Sequence, residues 1–164
     1  IDAIAILRGK GHQVVLRCIG PFETAAYQAE IEKRIARLGI ESAIERQGFI
    51  NDVPSALGKL DAMVLPSLYG EGLPMVVLEA MAAGLPVVAS AVEGTPEAIT
   101  PGVEGLLAKP RDPAGLAHAI ESLVNGHYDW HRMAEAAVDR HRQCFSDLAM
   151  AERTAAVYRK VLAR

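Results

Sequence analysis

Apolar positions along this chain alternate between two periods. Ile1, Ile4, Ala5 and Leu7 keep helical spacing until Gly9 and Gly11 interrupt it, which predicts the end of a helix. Residues 13–20, QVVLRCIG, form a β-branched run closed by Gly20 and Pro21, a strand signal. The next segment places Tyr27, Ile31, Ile35 and Leu38 on one helical stripe and stops at Gly39. Residues 43–50 read as a short strand, Asn51 or Asp52 can cap a brief helix running through Leu60, and AMVLPS is an apolar run short enough for a buried strand.

The second half repeats the alternation. After Ser67 comes a Gly-rich turn, then a helix from Pro74, a residue suited to the first helical position, closed by Gly84. PVVAS is the next strand, GTPEAI a helix of one or two turns, and EGLLAK a final strand. Asp112 caps and Pro113 starts the helix that follows, and from Tyr128 onward two more helices divide near residues 145–146. Strands separated by helices imply right-handed crossovers and a parallel sheet covered on both faces, so the expected class is α/β, a doubly wound, Rossmann-like domain. Residues 1–164 are read as one such domain, with 127–164 as its helical extension.

Composition changes this picture little. Ala, Val and Leu dominate, aromatic residues make up only 5% and the formal net charge is −3, so nucleic acid is not an expected partner and any anion must be bound locally. Cys18 and Cys144 form no ligand pattern and suit reduced thiols in a cytoplasmic protein. No run is long enough to cross a bilayer, and the start without Met, in mid-pattern, reads as a fragment of a longer polypeptide.

One helix is chemically unusual. In YGEGLPMVVLEAMAAGLP, Glu79 sits about 7.5 Å into an apolar helix, while Glu71 remains in the loop ahead of it. A carboxylate in such surroundings is costly unless it faces a polar site or pairs with a buried Arg or Lys. Between the two glutamates, Gly72 and the helix start offer unpaired N–H groups and partial positive charge, which suit a phosphate or diphosphate. Glu79 could then accept two ribose hydroxyls and Glu71 the hydroxyls of a hexose. In a doubly wound sheet such ligands bind at the carboxyl ends of the strands.

The stretch EGLPMVVLEAMAAGLPVVAS resembles the motif of two glutamates separated by seven residues in the group 1 family of retaining glycosyltransferases, which have the GT-B architecture of two Rossmann domains facing a cleft. DAMVLPS, EGTPEAI, GVEGLLAKPRDPAGLAHAI, CIGP and RQGFI are similar to the same family in the same order, and the closing FSDLAMAERTAAVYRKVL resembles its last helix. The resemblance implies a nucleoside-diphosphate sugar as donor, no metal cofactor, and the C-terminal donor-binding half of the enzyme. It implies that Glu79 accepts the ribose hydroxyls, and that Glu71, in the catalytic position, with the N–H groups of Gly72, Leu73 and Met75, meets the transferred sugar and the phosphates. Gly20, Phe49 and Ile50 would flank the nucleotide, and Gly94 and Thr95 would line the far side of the rim.

It also implies what lies elsewhere. The family's first C-terminal strand, its Arg and Lys phosphate ligands and its N-terminal domain, which holds an acceptor glycan, lipid or small molecule, belong ahead of Ile1. Any membrane contact at the inner face would belong to that absent part. Arg46 stands where the family has an apolar residue, either as a surface change or as a group reaching the nucleotide. His127 and His131 lie a helical turn apart without a third metal ligand, and Trp130 with Tyr128 and Met133 is expected to anchor a C-terminal helix. The expected function is donor binding in a hexosyl-transferring enzyme, with the isolated domain inactive. The alternatives are a non-catalytic Rossmann-like nucleotide-binding or interaction module and a GT-B sugar-nucleotide epimerase fragment.

Overall fold

The computed structural model describes residues 1–69 and 72–163. Helix and strand alternate as α1 (Asp2–Gly9), β1 (Leu16–Ile19), α2 (Ala25–Leu38), β2 (Ile44–Gln47), α3 (Val53–Leu57), β3 (Met63–Leu65), α4 (Met75–Ala82), β4 (Val87–Ser90), α5 (Thr95–Ala98), β5 (Gly105–Ala108) and α6 (Pro113–Val124). α7 (Trp130–Arg140), a π turn (His141–Phe145) and α8 (Asp147–Leu162) close the chain. Every strand pairing is parallel: β1 lies beside β2, and β4 lies between β3 and β5 with Val87 opposite both Met63 and Gly105.

The winding on two faces follows from the strand period. All four residues of β4 are buried. Val87 and Ala89 pack with Val77, Leu78 and Met81 of α4, whereas Val88 packs with Leu106, Ala119 of α6 and Met133 of α7. α1, α2 and α6 share a further core around Leu7, Ile35 and Ala117, so the helices cover the strands from both sides. This is the doubly wound, Rossmann-like α/β domain expected from the alternation.

Local chemistry fixes most helix ends where the residues predict them. Thr24, Asp52, Asp112, Asp129 and Ser146 each accept a backbone N–H at the start of a helix. Several boundaries are tighter than the apolar runs suggest. The strand expected over 13–20 is Leu16–Ile19, that over 43–50 is Ile44–Gln47, and the helix expected to reach Leu60 stops at Leu57. Pro74 is the residue before α4 rather than its first, because its ψ of 117° is extended even though its ring sets a helix-compatible φ of −70°. The sheet is also not continuous: β1–β2 and β3–β4–β5 are two sheets, with the second edges of β1 and β3 unpaired among the described residues.

Trp130 donates its indole N–H to the carbonyl of Asp61, and Met133 is only 3% exposed, so this end of α7 is anchored to the domain as its aromatic and Met content suggested. Arg46 Nη1 lies 3.1 Å from Glu32 Oε1 on the surface, so the unusual arginine is engaged with α2. Burial pushes the Cys18 thiol up, and both cysteines are free.

A polar clamp joins the turn after α1 to α6. Lys10 Nζ donates to Glu121 Oε2 at 2.6 Å, and His12 Nε2 lies 3.0 Å from Oε1. The Lys10 hydrogen bond, then that of His12, holds the Glu121 carboxyl below its ordinary 4.5. Because the folded state depresses this pKa, the carboxylate's contribution is complete above about pH 4.5 and is lost as pH falls through the folded value. Replacing Glu121 with Gln should therefore lower the thermal midpoint at neutral pH, with the difference from the parent protein shrinking in acid. A series of melts against pH reads this directly, and a difference independent of pH would contradict it.

Candidate functional site

Because the strands run parallel within each sheet, their carboxyl ends form one rim on each sheet. At β1 the chain turns at Gly20, whose φ of 113° favours glycine, and its N–H reaches the carbonyls of Gln47 at 3.0 Å and Gly48 at 3.3 Å. That pairing sets Gly20 beside the loop carrying Phe49 and Ile50. Phe49 is 79% exposed in that loop.

On the other sheet, α4 presents two distinct faces. Val77, Leu78, Ala80 and Met81 are buried, while Met75, Val76 and Glu79 face outward. The helix is apolar because its inner face fills the core, and Glu79 escapes desolvation by lying on the outer one. No described Arg or Lys pairs with it. Among the described residues no side chain caps the N-terminus, and the first intrahelical bond is Val77 N–H to the Pro74 carbonyl at 3.0 Å. The N–H groups of Met75 and Val76 thus have no acceptor among the described residues, leaving the positive end of the helix dipole open beside Leu73.

The loop before α4 and the turn before α5 meet backbone to backbone. A Cβ placed on Gly94 would fall onto the carbonyl of Gly72, so only glycine permits this approach. Thr95 does not line the rim as expected. It is completely buried beneath it, and its Oγ1 has no partner among the described residues. Glu71, the outer glutamate, lies outside the described residues.

The structure therefore gathers the sequence candidates into two groups, Gly20 with the 48–50 loop and Gly72, Leu73, Met75 and Glu79 with Gly94. It adds groups the sequence reading passed over. Leu68 and Tyr69 are 46% and 76% exposed in the same Gly-rich loop, a signal available from large apolar residues placed in a turn. Lys109 and Arg111, just after β5, border a cavity of about 340 Å³ together with Pro66 and Ser90 from the ends of β3 and β4. Among the described residues no cluster of three or more His, Cys, Asp or Glu could hold a metal ion, and no helix is long and apolar enough to cross a membrane.

This parallel, doubly wound α/β fold, ending in C-terminal helices, matches the C-terminal, Rossmann-like domain of GT-B glycosyltransferases. The chain belongs to the family described as "Glycosyl transferases group 1", whose profile matches residues 1–126. It is 33% identical over 136 residues to the MMP alpha-(1->4)-mannosyltransferase of Mycolicibacterium hassiacum, covering 81% of this chain and 33% of that protein. The Anabaena protein HepE, solved in complex with UDP, superposes with a TM-score of 0.89 at 28% identity over 97% of this chain and 43% of its own. The C-terminal domain of a glycosyl transferase group 1 family protein (LpcC) from Francisella tularensis superposes with a TM-score of 0.77 at 26% identity, covering 89% of this chain and 77% of that domain. The chain thus spans well under half the length of the mannosyltransferase and of HepE.

Proposed function

We propose that this chain is the donor-binding domain of a retaining glycosyltransferase that moves a hexosyl group from a nucleoside diphosphate to an acceptor held by another part of the polypeptide. The observation that carries it is the outer face of α4, where Glu79, a carboxylate with no ion-pair partner among the described residues, shares a helix with an N-terminus that no described side chain caps. Glu79 would accept the two ribose hydroxyls, the Met75 N–H and its neighbours in the loop would meet the diphosphate, and Glu71 would face the transferred sugar. HepE bound to UDP and to UDP-glucose supports a nucleotide-sugar donor. Departure of the diphosphate would be assisted by backbone donors already aimed at it, without a metal and without a covalent glutamate intermediate.

Phe49 fits the nucleotide side of the site, presenting an exposed ring next to the Gly20 turn. Transfer itself needs the acceptor-binding part, so these residues alone should bind nucleotide weakly and transfer nothing. Calorimetric titration with UDP, GDP and ADP tests the reading. It requires that at least one bind and that the affinity drop in Glu79→Gln; no binding by any of them, or equal affinity in the variant, would overturn it.

A further inference from the structure

α5 (Thr95–Ala98) is a single turn, too short to be stable through its own hydrogen bonds, yet Gly94 at its start is the residue pressed against the Gly72 carbonyl. Glu93, one residue earlier, has a φ of 41°, a left-handed conformation that a residue other than glycine keeps only where its surroundings impose it. The far end of this turn is gripped by α7. Arg140, the last residue of that helix, donates from Nη2 to the Glu97 carbonyl at 2.7 Å, and its Nη1 lies 3.6 Å from Glu104 Oε1. Glu104 is only 5% exposed, and its Oε2 accepts the Thr100 N–H at 2.8 Å. The pair therefore fixes both a carbonyl and an N–H where the chain leaves α5. The guanidinium carbon also lies 6.0 Å from the ring centroid of Phe145 in the π turn, and Phe145 packs in the same core as Ala98, Ile99 and the inner residues of α4.

We infer that Arg140 is a positioning residue for the donor site: paired with Glu104, it fixes α5 and, through the contact of Gly94 with Gly72, the segment that presents the Met75 and Val76 N–H groups. This role rests on the donor-binding reading, because the groups it aligns are those assigned to the diphosphate. Arg140 makes no hydrogen bond or ion pair with Gly72, Leu73, Met75 or Glu79 among the described residues, so its influence is indirect. The link is stiff, since Gly94 meets the Gly72 carbonyl with no room for a Cβ, and a displacement of α5 either pushes the 72–76 segment or opens the contact. The guanidinium is also not interchangeable with an apolar side chain. Its Nε is buried without a partner among the described residues, so the fork is seated by its two Nη groups, and without them the carboxylate of Glu104 is left buried and unpaired.

The test compares Arg140→Met, which removes the guanidinium and keeps a long side chain, with Arg140→Lys, which can still donate to the Glu97 carbonyl. Two readouts are taken where every variant is folded. One is calorimetric affinity for UDP, GDP or ADP, whichever the parent chain binds most tightly. The other is hydrogen exchange of the hydrogen-bonded amides of Thr95 and Glu97 at α5 and of Val77 in the first turn of α4, set against Val87–Ser90 of β4. Arg140→Met should weaken nucleotide binding by about tenfold or more. It should also speed exchange at Thr95, Glu97 and Val77 by about tenfold or more relative to β4, with Arg140→Lys nearer the parent in both readouts. Unchanged affinity, exchange that quickens equally in β4, quickening confined to α5, or Arg140→Lys behaving like Arg140→Met would each overturn the proposal. Should the parent chain bind none of the three nucleotides, the donor-binding reading fails, and Val77 exchange alone then decides whether Arg140 aligns the start of α4. If Arg140→Met does not fold, the double variant with Glu104→Gln, which leaves no buried charge unpaired and keeps an acceptor for the Thr100 N–H, is judged by the same readouts.

Discussion

Replacing Gly94 with Ala should both destabilise the domain and abolish most of its nucleotide binding. The added Cβ would coincide with the Gly72 carbonyl, and backbone cannot swing aside as the end of a long side chain can. Forcing extra volume into such a contact costs about 1–3 kcal/mol, which lowers the melting temperature of a domain this size by roughly 2–12 °C. The loop that yields is the one delivering Leu73, Pro74 and the open N–H groups of Met75 and Val76. Losing or misaligning one hydrogen bond to a charged phosphate costs about 1.5–3 kcal/mol, or about 10- to 150-fold in affinity. Melting and UDP titration of the same preparation check both effects. A variant that melts lower yet binds normally would separate the Gly72 to Gly94 contact from the site.

Glu79→Gln should weaken nucleotide binding with little change in stability, the opposite balance. The side chain is exposed and no described ion pair depends on it, so the fold loses little when the charge goes. A ribose diol donates both hydroxyls, and a carboxylate can accept both, whereas an amide offers one accepting oxygen and turns its NH₂ toward a donor. The loss is expected at about 1.5–3 kcal/mol, or roughly 10- to 150-fold in dissociation constant. The corresponding 2′-deoxynucleoside diphosphate should lose affinity for the parent protein and be far less sensitive to the substitution. If the deoxynucleotide and the ribonucleotide respond alike to Glu79→Gln, the carboxylate does not read the ribose.

Several site features were legible before any coordinates. Pro74 and Gly84 punctuate the helix that carries Glu79, and the loops with Gly20, Gly72 and Gly94 each follow a strand, which places them at the carboxyl ends of parallel strands. Other features were not. Whether Glu79 paired with a buried cation or faced outward depended on which residues surround α4, and Arg46 could be assigned only once Glu32 of α2 was found beside it. Thr95 looks like a rim residue in sequence because it follows a glycine turn, yet the turn directs it into the core.

The sequence by itself determined the alternation of strands and helices, the capped starts of α3 and α6, the apolar character of α4 and the spacing of the two glutamates. These are local properties, set by side-chain period, by proline and glycine and by hydrogen bonds spanning a few residues. Only the tertiary structure decided that Gly94 abuts Gly72, that Thr95 is buried, that Glu121 clamps the turn after α1 to α6, and that the strands fall into two sheets. Those depend on which distant segments pack together, a consequence of close packing among many residues at once that no single stretch of the chain encodes.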